Sequence, residues 1–198
     1  MEISATQVKE LREATGAGVL ECRKALEQNN GDYEKAVALL KEKGLAKAAK
    51  KAERAVKDGR VEVYAHPGNR VGVILEVNCE SDFVARTEDF KALVHDLVLH
   101  IAFSNPAYIR PEDIPADALE AQRAKFRAEA AATGKPENVL DRIVQGKLDK
   151  YYDEFCLLRQ PFVKDDKVTV GDLVTAGIAK IGENIVVRRF VRYELGEA

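Results

Sequence analysis

With 198 residues, 46% of them hydrophobic and 32% charged, and a net charge of −2, the chain suits one modest core and an accessory piece. That balance excludes a disordered chain and gives no support to a nucleic-acid binder. No apolar run approaches the ~18 residues of a membrane helix. The start, MEISATQVKELREATG, lacks the basic end and apolar segment of a signal peptide, so the expected location is cytoplasmic. The three cysteines, Cys22, Cys79 and Cys156, never form a CxxC pair, which speaks against a disulfide scaffold or a zinc site.

In chain order, Ser4 with Gln7 three residues on predicts a capping box, and Val8 and Leu11 follow at helical spacing. Gly16-Ala17-Gly18 ends that helix. Val19, Cys22 and Leu26 mark a second, and Asp32 caps a third that carries Tyr33, Val37 and Leu40 as far as Gly44. Three helices joined by short turns make a bundle whose core is too small to be stable unless tethered. Lys41 to Arg60 holds eight Lys or Arg against three acids, and Ala46 to Lys57 favours helix with few large apolar residues. That segment reads either as a solvated connecting helix or as a basic contact surface. The expected units are 1–45, a basic linker helix over 46–58, and a second domain over 59–198.

The second domain opens with alternating residues at 60–65, a turn at His66 to Arg70, and a second alternating strand carrying Val71, Val73, Leu75, Val77 and Cys79, which predicts a hairpin. A helix follows, opened by Thr87, Glu88 and Asp89 and ended by Asn105-Pro106, with a stripe of Phe90, Leu93, Val94, Leu97 and Ile101. Pro115 to Thr133 and the stretch from Pro136 through Leu140, Val144, Leu148, Tyr151 and Phe155 predict a helical hairpin, the first helix exposed and the second packed on the sheet. A short helix over 170–181 precedes a third strand, Ile185 to Leu195, expected to place Ile185, Val187, Val191 and Tyr193 on one face and Arg188 and Arg192 on the other. A sheet with segregated helices is an α+β fold, here a three-stranded antiparallel sheet beside a three-helix module.

No catalytic constellation emerges, and the sequence implies no metal and no cofactor. His95 and His100 are five apart rather than the four of a helical metal pair, and no GxxxxGK[ST] occurs. Cys79 lies near Asp82 but falls on the apolar alternation of its strand, the position of a structural thiol. The segment that stands out is Asn78 to Arg86, where a strand gives way to a helix. One reading makes Asp82 a cap and Phe83 a hydrophobic staple. The other makes the segment a protruding loop that wedges Phe83 into a partner, with Asp82 beside it.

Val8 to Glu13 with Thr15-Gly16-Ala17-Gly18 and Cys22-Arg23-Lys24-Ala25-Leu26, then Gly72 to Arg86, resemble the two signatures of the elongation factor Ts family. The family's usual Thr-Asp-Phe-Val stands here as Ser81-Asp82-Phe83-Val84. Further matches are His100-Ile101-Ala102 with Pro106, Gln160 to Val163 with Asp165, and Gly182 to Gly196. The resemblance implies a ubiquitin-associated-like three-helix module, a linker and an α+β core. It also implies guanine nucleotide exchange on elongation factor Tu, bound with GDP or free of nucleotide. Ser81, Asp82, Phe83 and Val84 would then act near the partner's Mg²⁺ and phosphates, with Phe83 as the wedge. Val8, Arg12, Gly16 and Gly18 are candidates for further partner contacts. His100 is either another such contact or a packed core histidine. No membrane and no direct nucleic acid are expected among the partners. A rival reading is a ubiquitin-associated-type adaptor without exchange activity, which leaves Asp82-Phe83 unexplained. Longer members of the family carry two related core halves. This chain has room for one, and its small sheet would keep an open edge or face, so a homodimer is expected.

Overall fold

The computed structural model describes residues 3–132, 134 and 136–197. Thr133 and the outermost ends of the expected 1–45 and 59–198 units lie outside the described residues. Helices α1 (Ala5–Thr15), α2 (Val19–Gln28) and α3 (Tyr33–Ala49) form the amino-terminal module. Their ends follow from local chemistry. Ser4 and Gln7 make the reciprocal capping box, Gly16 closes α1 at φ 67°, and Asp32 accepts from the Lys35 N–H at 3.1 Å. Val8, Leu11, Cys22, Ala25, Leu26, Ala36 and Leu40 fill a small separate core.

Helix α3 departs from expectation. It runs through Gly44 to Ala49, so the basic stretch is the second half of this helix, followed by turns and extended chain up to Asp58. A helix-interior glycine costs about 1 kcal/mol relative to alanine. Gly44 is buried where α3 crosses the helix that carries Ala179, and a Cβ there would sit 3.7 Å from Ala179 Cβ. Tertiary contact therefore carries the helix past its weak point. The basic residues are largely occupied within the chain: Lys43 meets Gln28, Lys47 meets Glu21, Lys51 meets the Gly182 carbonyl, Arg54 meets Glu80 and Arg60 meets Glu62.

Strands β1 (Asp58–Ala65), β2 (Val71–Cys79) and β5 (Ile185–Glu194) form an antiparallel sheet in the order β1-β2-β5. Its inner face, Val73, Leu75, Val77, Cys79, Ile185 and Val187, packs with α5 (Glu88–Ser104) and α8 (Val170–Ile181). Register shifts once. Glu76 pairs with Arg189 but Val77 pairs with Val187, which leaves Arg188 as a bulge. The extra residue reverses the alternation. Phe190 and Arg192 turn toward the helices, while Val191 and Tyr193 join Val61, Val63 and Ile74 on the open face. The expected grouping of Val191 and Tyr193 with Ile185 and Val187 fails for that reason. The Arg192 side chain is largely buried, donates to the Ala102 carbonyl at 3.3 Å and pairs with Glu194 and Glu197.

Helices α6 (Ala116–Ala131) and α7 (Glu137–Phe155) form the expected hairpin, with Pro136 at the cap position of α7. The hairpin does not use the sheet. Ala130, Leu140, Val144 and Leu148 make a third core between the two helices. A short pair, β3 (Pro161–Phe162) and β4 (Asp165–Thr169), joined by a turn at Val163 and Lys164, precedes α8. No helix among the described residues is long and apolar enough to cross a membrane.

Gly59 is the tightest point of the β1–β2 pair. A Cβ there would lie 2.3 Å from the Val77 carbonyl oxygen and 2.7 Å from Asn78 Cα, both backbone atoms. Gly59→Ala is expected to lower unfolding free energy by at least about 2 kcal/mol, read from urea denaturation.

Candidate functional site: a held turn with an exposed phenylalanine

Strand β2 ends at Cys79, and two residues later α4 (Asp82–Ala85) makes a single turn before Thr87 caps α5. Ser81, not Asp82, is the cap of α4, since its hydroxyl accepts from the Val84 N–H at 3.4 Å. Val84 is buried in the main core. Successive residues on a helix diverge by about 100°, so inward placement of Val84 turns Phe83 and Asp82 to solvent. Phe83 is 77% exposed, so it is not a staple. Phe103 is equally exposed, and exposure alone does not single out a site. The difference lies in what holds the turn.

The Glu183 carboxylate accepts from the backbone N–H groups of Glu80 and Ser81, each at 3.0 Å, and from the Ser81 hydroxyl at 2.6 Å. Glu80 accepts in turn from the Asn184 N–H at 2.7 Å. Asp82 pairs with Arg86 at 2.9 Å, but both side chains are well exposed, and such pairs contribute about 0–1 kcal/mol. Asp82 can therefore exchange Arg86 for another cation at little cost. The Cys79 thiol is fully buried, donates to the Ser81 carbonyl at 3.2 Å, and is pushed up in pKa by burial, the opposite of an activated nucleophile.

The other candidates lie apart from this turn. Val8 is in the module core, Arg12 is exposed on α1, Gly16 is the α1 cap, and Gly18 precedes α2. Gly16 faces the core domain, where its missing Cβ would meet Lys180 Cδ at 3.7 Å. His100 is fully buried. Its Nδ1 accepts from the Val163 N–H at 3.2 Å, which makes Nε2 the donor to Gln160 Oε1 at 2.9 Å. Gln160 passes the network on to the Ser104 and Glu154 carbonyls. The packed-histidine reading is the one this geometry fits, because the imidazole has no free surface. Sequence reading missed Glu183, which stands 102 positions from Ser81 and has no local signal.

A chain of this fold, with a tethered helical module and one held aromatic turn, is similar along its length to translation elongation factors. The family model described as Elongation factor TS matches residues 2–197. The elongation factor Ts of Herpetosiphon aurantiacus is 56% identical over 196 residues, covering 99% of each chain. That of Carboxydothermus hydrogenoformans is 54% identical over 195 residues, covering 98% of this chain and 90% of the relative. That of Koribacter versatilis is 51% identical over 197 residues, covering 100% of this chain and 90% of the relative. The chain belongs to the elongation factor Ts family.

Burial holds the His100 imidazole below its ordinary pKa, outweighing the Gln160 hydrogen bond. Unfolding returns it to about 6.5, so the unfolded chain takes a proton that the folded one resists. The stability from this group is complete above that value and is lost as pH falls below it toward the folded-state pKa. The urea midpoint is expected to fall between about pH 7.5 and about pH 5.5, and His100→Gln to flatten that slope; an equal slope in the variant would refute the assignment.

Proposed function

We propose that this protein is a guanine nucleotide exchange factor that binds GDP-loaded elongation factor Tu and promotes GDP release by disturbing its Mg²⁺ and phosphate contacts. The observation that carries the reading is Phe83, exposed on a turn whose backbone is hydrogen-bonded from outside. Family membership supports the partner. Phe83 enters the partner's GTPase domain, with Asp82 beside it, and the ubiquitin-associated-like module docks elsewhere on the same domain. The protein makes and breaks no covalent bond in this role, and its place of action is the cytoplasm.

The magnitudes divide the work. A nanomolar nucleotide complex holds about 12 kcal/mol. Binding of nucleotide and of exchange factor must weaken each other by the same factor. A ~10⁴-fold effect requires about 5.5 kcal/mol of differential interaction. Burying the Phe83 ring contributes about 2–3 kcal/mol, so loss of Mg²⁺ and phosphate contacts supplies the rest. Phe83→Ala is expected to slow mant-GDP release from elongation factor Tu by at least about tenfold with unchanged circular dichroism. Wild-type release by the variant would sink the wedge assignment. An adaptor without exchange activity would instead bind the partner and leave release unaltered.

We also propose that two chains associate through their sheets. Val61, Val63, Ile74, Val191 and Tyr193 leave one face of the three-stranded sheet apolar and open. A face of this kind is a liability in a monomer and a natural contact for a second copy. Light scattering at micromolar concentration is expected to give twice the chain mass, and Val63→Lys with Tyr193→Lys to return it to one. A monomeric wild-type chain would overturn the dimer.

A further inference from the structure

The turn Gly182–Glu183–Asn184 joins α8 to β5 and meets two distant segments at once. Toward the amino-terminal module, the Gly182 carbonyl accepts from Lys51 Nζ at 2.6 Å, and Asn184 Nδ2 donates to the carbonyls of Ala52 at 3.3 Å and Arg54 at 2.9 Å. Asn184 is almost fully buried. Toward the exposed phenylalanine, the Asn184 N–H is bonded to Glu80 Oε1, which also lies 3.5 Å from the Arg54 guanidinium. Glu183 then takes both N–H groups that follow β2 and the Ser81 hydroxyl proton.

The Ser81 bond has a directional consequence. A hydroxyl has one hydrogen, and here Glu183 accepts it, so the oxygen lone pair is left for the Val84 N–H. The carboxylate therefore selects the Ser81 rotamer that caps α4. Four residues cannot sustain a helix unaided, because nucleation fixes several dihedrals for one hydrogen bond. The geometry of α4 must come from outside it: Val84 and Ala85 pack on the main core, Cys79 and Thr87 donate to the Ser81 and Val84 carbonyls, and among the described residues Glu183 alone holds the Glu80 and Ser81 amides and the Ser81 hydroxyl at its entry.

We infer that Glu183 is a positioning residue for nucleotide exchange: its carboxylate holds the Ser81–Val84 turn so that Phe83 meets the partner already oriented. This rests on the exchange activity proposed above. Pre-ordering removes a cost otherwise met as the turn enters the already docked partner, and it acts through the residues the turn presents, Phe83 first among them. A carboxylate accepting three bonds holds more strongly than a neutral group, so Glu183→Gln should retain part of the effect that Glu183→Ala loses.

The test measures mant-GDP release from elongation factor Tu over a range of factor concentrations, for wild type, Glu183→Gln, Glu183→Ala, Phe83→Ala and the Phe83→Ala variant carrying each Glu183 change. Glu183→Ala is expected to lower the saturating release rate about tenfold, the scale of a lost charge-assisted hydrogen bond, with the half-saturating concentration nearly unchanged. Glu183→Gln falls between it and wild type, and each change lowers release by a smaller factor once Phe83 is alanine. Hydrogen exchange at the Glu80 and Ser81 amides rises in both single variants. A wild-type saturating rate in Glu183→Ala, or an equal further loss in the Phe83→Ala background, overturns the inference. If Glu183→Ala does not fold, Glu183→Gln decides: unaltered amide exchange together with unaltered release overturns it. Unchanged release by Phe83→Ala would instead overturn the exchange reading itself, so the two failures are distinguishable.

Discussion

The packing of α5 against the inner face of the sheet is the contact on which the rest of the molecule depends. Phe90, Val94, Leu97, Val98 and Ile101 are fully buried, and Val73, Leu75 and Val77 of β2 meet them from the strand side. Each such side chain contributes about 1.5–3 kcal/mol, in a chain whose net stability is of order 10 kcal/mol. Because β2 and α5 are both fixed this deeply, the eight residues between Cys79 and Glu88 are anchored at both ends. An anchored connector of that length can leave a phenylalanine in water without collapsing onto it. Exposure of Phe83 is thus a product of burial elsewhere.

A second layer of order is polar. His100, Gln160 and Asn184 are buried polar residues, and each bonds to groups from other elements. His100 and Gln160 tie α5 to the end of α7 and to the chain at Val163, while Asn184 ties the chain after α3 to β5. Buried polar groups of this kind are costly when unmatched and specific when satisfied. They help to join the main core to the two smaller ones. The α6–α7 hairpin shows the need most clearly. Its core of Ala130, Leu140, Val144 and Leu148 is small, and the Ala107 and Tyr108 N–H groups bonded to the Phe155 carbonyl help to fasten its base.

Sequence alone made some features legible and concealed others for physical reasons. Helix starts at Ser4, Asp32 and Thr87 were readable because a cap is an interaction among neighbours in the chain. The α5 stripe was readable because burial imposes a period. The bulge at Arg188 was not, since one extra residue reverses the faces of a strand without disturbing its composition. Gly44 suggested a stop because its compensation comes from Ala179, far along the chain. At the site, Asp82 and Phe83 stood out by type and by resemblance, but cap and wedge could not be separated by spacing. The hydroxyl of Ser81 shows which residue caps α4, and the burial of Val84 shows why Phe83 stays exposed.

The unbroken course of α3 has a mechanical meaning. Its first half belongs to the module core through Ala36 and Leu40, and its second half reaches the main core through Ala48. Seventeen helical residues make a strut about 25 Å long. A flexible tether would let the module sample a wide volume and would charge the lost freedom to every encounter. A strut gripped at both ends sets the spacing between the module and the main core in advance, so the molecule behaves less like beads on a string than like a caliper of fixed gauge.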